Sequence, residues 1–230
     1  MRPWSPQVFW HSASHLLGWA LEHQFGDSVR LCDGPALRDG DGGFFYECWL
    51  SHDRRLGPDD LVPLQQTMRK AIKSNRQFQR MEVSRDEAAR FFPENPFKLE
   101  MLSRIPAEET VTMYRCGPFI DLCRGPHVPS TALFRAVSLF RTAGARHPVS
   151  AAWTTQQWDA LLGPDAATRD ASGHLLQRVY GIAVPEKQLL DQWKVCMVSS
   201  VCADLAWKSP SGLSSFARAC RGSSSCAGAA

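Results

Sequence analysis

Two short segments, about a hundred residues apart, each carry metal-ligating side chains at a four-residue spacing. The first is His11-Ser-Ala-Ser-His15 and the second is Cys123-Arg-Gly-Pro-His127. Four residues make slightly more than one helical turn, so His11 and His15 fall on one face of a helix. The Gly-Pro turn lets Cys123 and His127 converge on one point from a second element. The two segments constrain the fold because their joint chemistry requires them to face one small cavity.

Three imidazoles and a thiol around one cavity can hold a zinc ion or activate a water molecule. Histidine suits proton transfer because its unperturbed pKa of about 6.5 lies close to neutral pH. A covalent role for Cys123, with a histidine as its base, is a further alternative. An attacking water needs no thiolate, so the residues favour water activation over a thiol nucleophile and leave zinc binding open.

The composition is that of an ordinary water-soluble domain. The chain has 230 residues, of which 44% are apolar and 21% charged, enough for a sizeable core in one or two domains. No apolar stretch is long enough to predict a membrane-spanning helix, and the first residues do not read as a secretory signal. We therefore expect the eight cysteines to be free thiols in a reducing compartment.

The net charge of +3 is too small to identify a nucleic-acid-binding protein, but the charges are unevenly distributed. Residues 61–80 contain five basic residues and no acidic one, and residues 115–147 contain five arginines against a single aspartate. Such stretches supply phosphate contacts in nucleic-acid-binding proteins, and a solvated basic surface is the alternative. The basic residues of the first stretch are Arg69, Lys70, Lys73, Arg76 and Arg80.

Hydrophobic periodicity predicts mixed helices and short strands. Because the strands follow one another through short connections, we expect an α+β fold with an antiparallel sheet packed against helices. Ser84 is predicted to cap a short helix, with Glu87 completing a capping box. The predicted helices are 9–25, one beginning at Pro58, one after Ser84, 97–102 and 186–193, and the predicted strands are 29–32, 44–50, 78–83, 110–116, 119–122, 133–140 and 175–179.

Several motifs resemble one known family. HSASHLLGWALE at 11–22, NPFK at 95–98 and IDLCRGPHVP at 120–129 resemble the editing domain, or second additional domain, of threonyl-tRNA synthetases. That domain is shared with alanyl-tRNA synthetases and with free-standing alanyl-tRNA editing proteins. LQRVYGIAVPEKQLLDQW at 176–193 resembles the segment that leads toward the aminoacylation domain. The motifs occur in the order that the family has.

The resemblance implies that the chain hydrolyses the ester of mischarged Ser-tRNA(Thr). It adds Lys98 to the catalytic candidates and implies a substrate contact for Tyr46. Asp121 is a candidate because it lies two residues before Cys123, so that on a strand both side chains would point to the same side. Arg124 is a candidate for guiding the single-stranded acceptor end through its phosphates. Threonyl-type domains are expected to work without a cofactor, whereas the alanyl-editing relatives bind zinc through the equivalent four side chains. No ATP is expected for this chain alone. The complete set of catalytic candidates is His11, His15, Lys98, Asp121, Cys123 and His127. If zinc binds, its ligands would be these residues without Lys98 and Asp121.

The implied partners are the acceptor end of tRNA(Thr), the remainder of a threonyl-tRNA synthetase or a dimer partner, and no membrane. A cytoplasmic location is expected, with the mitochondrion and the plastid left open. Two other interpretations remain at this point. One is a non-catalytic RNA-binding or ribosome-associated relative, and the other is a free-standing, zinc-dependent alanyl-tRNA editor.

The predicted organisation has four parts. Residues 1–142 form the editing domain, 143–173 a poorly patterned insertion, and 174–195 a strand and helix that complete or leave the domain. Residues 196–230, rich in serine, alanine and cysteine, are predicted to be disordered. Nothing after Trp193 resembles an aminoacylation domain, and the family's Trp-x-Gly-Asp stretch does not follow residues 142–144. We therefore expect a fragment or aberrant product of a synthetase gene, or a stand-alone editor.

Overall fold

The computed structural model describes residues 4–37, 42–52, 54–145 and 176–198. Helices and strands alternate irregularly along these ranges, which confirms the α+β prediction. The helices are α1 (Pro6–Phe25), α2 (Pro58–Lys73), α3 (Arg85–Arg90), α4 (Pro96–Ser103) and α5 (Lys187–Val198). The strands are β1 (Val29–Leu31), β2 (Phe44–Leu50), β3 (Phe78–Val83), β4 (Val111–Cys116), β5 (Phe119–Leu122), β6 (Ala136–Ala145) and β7 (Leu176–Val184).

Helix α1 is the central element of the fold. It begins where the Ser5 hydroxyl accepts a hydrogen bond from the Val8 amide, with Pro6 in the first turn, a position that suits proline. It ends at Gly26, whose φ of +51° favours a residue without a side chain. Its residues are buried around most of the helix, because α1 packs against strands of both sheets and against α2.

Two antiparallel sheets surround this helix. The first has the strand order β1-β2-β7-β6, and the second has the order β3-β4-β5. Helix α1 contacts β2 and β7 of the first sheet and β5 of the second. The segment that contains Cys123 and His127 follows directly after β5. Because β5 packs against α1, this segment also lies close to α1.

Strand β3 and helix α3 meet at the predicted cap. The Ser84 hydroxyl accepts from the Glu87 amide at 3.3 Å, and the Glu87 carboxylate accepts from the Ser84 amide at 2.9 Å. This reciprocal pair confirms the capping-box prediction, and it fixes the end of the strand as well as the start of the helix.

Strands β6 and β7 differ from their predicted limits. Where a strand was expected over 133–140, a single 3-10 turn at Thr131–Leu133 precedes a strand that begins at Ala136 and reaches Ala145. β7 likewise runs on to Val184. The physical reason is that each strand supplies the other's hydrogen bonds over its whole length, from Ala136 opposite Val184 to Ala145 opposite Leu176.

The remaining predictions for the C-terminal half concern residues at the edges of the described ranges. Residues 143–145 of the predicted insertion belong to β6, and 146–173 lie outside the described residues. The predicted tail begins within α5, and 199–230 also lie outside the described residues. Among the helices that the structure describes, none combines the length and the apolar character needed to cross a bilayer.

Candidate active site

The two histidine-containing segments meet. Cys123 and His127, which follow strand β5, lie against the face of α1 that carries His11 and His15. The ligand atoms of all four side chains lie within 4.8 Å of one another. The ring centroids of His15 and His127 are 4.2 Å apart, and those of His11 and His127 are 4.6 Å apart. The Cys123 Sγ lies 3.3 Å from His11 Nε2 and 3.1 Å from His127 Nε2.

Ser12 determines which nitrogen of His127 faces this cluster. Its hydroxyl donates to the Val8 carbonyl at 2.7 Å, so its single proton is engaged. It accepts from the Val128 amide, and its remaining lone pair faces His127 Nδ1, both at 3.0 Å. His127 Nδ1 must therefore carry the proton and donate it to Ser12. The Nε2 atom then carries a lone pair directed at the cluster, 3.1 Å from the Cys123 Sγ, as a base or a metal ligand requires.

Aromatic rings enclose the imidazoles. Phe78 of β3 stacks on His127 with an interplanar angle of 13°, and Tyr114 of β4 meets the same ring edge-on. Phe119 of β5 meets His15 edge-on at 5.7 Å. Burial lowers the pKa of His127, and the neighbouring His15 and His11 lower it further. At neutral pH this imidazole is therefore uncharged.

Histidines 15 and 11 differ in how strongly they are held in the neutral form. Burial, with the adjacent His11 and Lys98, lowers the pKa of His15 well below its ordinary value. Burial also lowers the pKa of His11, but the carboxylates of Asp33 and Asp121 act in the opposite direction. The His15 Nδ1 atom is buried and has no hydrogen-bond partner among the described residues. A polar atom in this position is available to a water molecule or an ion.

Cys123 is a poor nucleophile in this environment. Burial raises the pKa of its thiol to about 12, and the hydrogen bond donated by the Gly125 amide at 3.2 Å offsets this only in part. The thiol therefore remains protonated at neutral pH, where the attacking species would have to be a thiolate. The geometry favours a role in lining or closing the cavity over covalent catalysis.

A second group of buried polar residues lies beside the imidazoles. Lys98 Nζ forms an ion pair with Asp121 Oδ1 at 2.5 Å, and the Tyr46 hydroxyl donates to Asp121 Oδ2. The Leu122 amide also donates to Asp121 Oδ1, at 2.8 Å. Helix α4 places Lys98 here because the Asn95 side chain caps the helix by accepting from the Lys98 amide. Three separate elements thus contribute to one network.

The charges of this network follow from its burial. Lys98 and Asp121 are only 2% and 3% exposed. Burial by itself would lower the pKa of Lys98, but the charge and hydrogen bond of Asp121 outweigh it and raise the pKa. Burial and the same carboxylate raise the pKa of Tyr46, so the phenol stays protonated and continues to donate. The network therefore holds the Lys98 ammonium beside the Asp121 carboxylate in a low-dielectric environment.

Tyr46 contacts both the Lys98–Asp121 ion pair and helix α1. Its ring lies so close to Gly18 of α1 and to Gly34 that a methyl group on either glycine would come within 2.8 Å of it. The Gly34 carbonyl also accepts a hydrogen bond from the hydroxyl of Ser14, which lies between the two histidines of α1. Any displacement of Tyr46 would therefore move α1 as well as the ion pair.

Of the predicted site residues, seven are brought together and one is not. Arg124 is exposed, and it makes no hydrogen bond or ion pair with the part of the chain that the structure describes. The sequence reasoning missed Ser12, although its position inside the His-x-x-x-His motif was a usable signal. It also missed Phe78, Tyr114 and Phe119, because strands distant in sequence carry them.

Sequence comparisons identify proteins that this chain resembles. Residues 111–150, which include β4, β5 and the Cys123–His127 turn, match the family model described as the threonyl and alanyl tRNA synthetase second additional domain. Over this segment the chain is similar to that family.

Curated relatives are threonine--tRNA ligases. The mitochondrial enzyme 1 of Arabidopsis thaliana is 36% identical over 186 residues, which are 81% of this chain and 23% of the relative. The enzyme of Staphylococcus carnosus is 37% identical over 182 residues, 79% of this chain and 24% of the relative. A probable cytoplasmic enzyme of Dictyostelium discoideum is 34% identical over 198 residues, 86% of this chain. The chain therefore spans about a quarter of the length of the relatives it matches.

Proposed function

We propose that this chain is an aminoacyl-tRNA deacylase that hydrolyses the ester linking serine to tRNA(Thr). The observation that carries the proposal is the meeting of uncharged imidazoles with a buried, charged lysine in one site. Ester hydrolysis needs an activated water, a positive group near the carbonyl oxygen and a proton for the leaving hydroxyl. The imidazoles would supply the base, and Lys98 would supply the positive group.

The roles follow from the protonation states. His127 Nε2 and the unpartnered His15 Nδ1 would hold the attacking water, and His11, whose pKa the nearby carboxylates of Asp33 and Asp121 act to raise, would accept its proton. The Lys98 ammonium would stabilise the negative charge that develops on the ester oxygens, and more strongly than in water because it is buried. Asp121 and Tyr46 would act as positioning residues that hold this ammonium in place.

The choice of serine rests on a general limit to selectivity. A synthetic site for threonine rejects serine only through one missing methyl contact, worth about 1–3 kcal/mol. A second site that excludes the methyl group can destroy the seryl ester and spare the threonyl ester. The crowding by Phe78, Phe119 and Tyr114 around the imidazoles supports such size exclusion.

The test is hydrolysis of Ser-tRNA(Thr) and Thr-tRNA(Thr) by the full chain. We expect rapid loss of the seryl ester and little loss of the threonyl ester. The His11→Ala/His15→Ala variant should fall to the uncatalysed rate. His23→Ala, which alters an exposed histidine of the same helix, is the matched control and should keep full activity. Equal rates for the wild-type chain and the double variant would refute the proposal.

A zinc-dependent alanyl-tRNA editor is the second candidate, and the four-donor cluster favours it. Tetrahedral zinc bound by nitrogen and sulfur separates its ligands by about 3.5 Å, close to the Cys123–histidine distances of 3.1 and 3.3 Å. His11, His15, Cys123 and His127 would hold the ion, which would supply Lewis acidity when bound. Four protein ligands would, however, fill its coordination sphere, as in structural sites.

We therefore propose that hydrolysis proceeds without a metal. Activity on Ser-tRNA(Thr) should be unchanged after dialysis against a chelator, with metal content measured by mass spectrometry on the same sample. Activity that disappears on chelation and returns with zinc alone, together with cleavage of Ala-tRNA, would establish the second candidate instead.

A further inference from the structure

A polar groove lies outside the candidate active site. It has a volume of about 630 Å³ and runs between the segment after α2 and the turn that joins β4 to β5. None of the residues that line it is acidic. They are Asn75, Arg76, Gln77, Gln79 and Arg115, together with the Gly117-Pro118 turn.

The two arginines of the groove are held in place but not neutralised. Arg76 is anchored through its backbone, because its amide donates to the Thr131 hydroxyl and its carbonyl accepts from the Thr131 amide, both at 2.9 Å. Arg115 uses only its Nε, which donates to the Gly117 carbonyl at 2.9 Å. Both side chains are exposed, and neither forms an ion pair within the described ranges. Their terminal nitrogens are therefore available to an anionic ligand.

The strand register explains why the arginines and amides share one surface. Gln79 of β3 pairs directly with Arg115 of β4, and the next pair along is Phe78 with Cys116. Because neighbouring residues of a strand point to opposite faces, Gln79 and Arg115 face the groove while Phe78 faces His127.

The groove lies beside the active site, because a side chain added at Gly117 would come within 3.2 Å of Trp19, which follows His15 by about one turn of α1. Gln77 immediately precedes Phe78, which stacks on His127, and Pro118 immediately precedes Phe119, which contacts His15. A polymer whose last unit occupies the site therefore has this groove within reach of its preceding units. A compact substrate such as a free amino-acid ester would not extend into it.

We propose that the Arg76–Arg115 groove binds the phosphodiester backbone of the RNA whose aminoacylated end occupies the active site. This inference rests on the proposed deacylase function. The guanidinium fork matches the geometry of phosphate oxygens, and side-chain amides donate to phosphate and sugar oxygens. The lack of acidic residues in the groove and in residues 61–80 removes the repulsion that an RNA strand would otherwise meet.

The kinetic test compares a large and a small substrate. For Arg76→Gln/Arg115→Gln we expect KM for Ser-tRNA(Thr) to rise about tenfold with kcat unchanged, because two phosphate contacts are lost. Hydrolysis of the seryl ester of adenosine, which has no phosphate, should be unaffected. The matched control is Arg90→Gln/Lys187→Gln, which removes the same charge from exposed residues outside both the groove and residues 61–80. Circular dichroism shows whether each variant is folded.

The binding test does not depend on catalysis. Fluorescence anisotropy with unacylated tRNA over a range of salt concentrations should give a logarithmic salt slope less negative by about 1.5 for the groove variant than for the control. Equal slopes, or equal KM values in the two double variants, would overturn the groove assignment. A wild-type chain that cleaves neither ester would overturn the deacylase proposal, while the salt slopes would still decide the groove.

Discussion

The buried Lys98–Asp121 pair allows the contributions of one interaction to stability and to activity to be separated. Lys98→Met keeps an aliphatic side chain of similar length but leaves the Asp121 carboxylate without its counter-charge. Removing one partner of a buried ion pair costs about 3–5 kcal/mol. Because Tyr46 and the Leu122 amide still donate to the carboxylate, we expect about 3 kcal/mol. Asp121→Asn instead leaves the buried Lys98 ammonium without its counter-charge, and it should lower the free energy of unfolding by at least as much.

The combined variant should be much less destabilised than the sum of its parts. With Lys98→Met and Asp121→Asn together, neither position carries a buried charge, so the double variant should be destabilised by about 3–4 kcal/mol rather than the roughly 6 kcal/mol to which the two single losses add. We expect a coupling energy of about 2–3 kcal/mol from equilibrium urea unfolding of the four proteins, since contacting residues couple by up to about 3 kcal/mol. The double variant should still fold but should fail to cleave Ser-tRNA(Thr), because it lacks the Lys98 ammonium.

An exposed ion pair provides the control. Arg80 and Glu82 lie 2.6 Å apart with side chains 51% and 53% exposed, so their coupling in the same kind of cycle should be below about 1 kcal/mol. If Lys98→Met and Asp121→Asn add to within about 0.5 kcal/mol, the two residues do not interact as described and the reasoning fails. Activity in the combined variant would show separately that the ammonium has no role in catalysis.

Two further substitutions test the packing around α1. Ser12→Ala removes the acceptor of two buried N–H groups, which should cost about 1–3 kcal/mol of stability for each. Because His127 loses its orientation, the substitution should also lower kcat for Ser-tRNA(Thr) more than it changes KM. Retention of full kcat in a folded Ser12→Ala protein would contradict this role. Gly18→Ala would normally stabilise a helix by about 1 kcal/mol, but the added methyl would lie 2.6 Å from Phe119, so we expect the melting temperature to fall. An increase would mean that the helix and the strand are less tightly packed.

Local features of the fold could be predicted from the sequence because their physical causes lie within a few residues. The histidine spacing placed His11 and His15 on one face of a helix, and the Ser84–Glu87 capping box fixed where α3 begins. Asp121 was predicted from its position two residues before Cys123, whereas Lys98, for which spacing gave little signal, was added by the resemblance to the synthetase domain.

Tertiary structure decided which residues interact over long distances in the chain. The limits of β6 and β7 come from pairing across 31 or more positions, between Ala136–Ala145 and Leu176–Val184, which periodicity within one segment cannot reveal. The tautomer of His127 depends on Ser12, 115 positions away, and the charge of Lys98 on Asp121. The sequence by itself determined which chemical groups the chain carries and which local elements display them. Only folding set their protonation states, because burial and neighbouring charges exist once the elements have packed together.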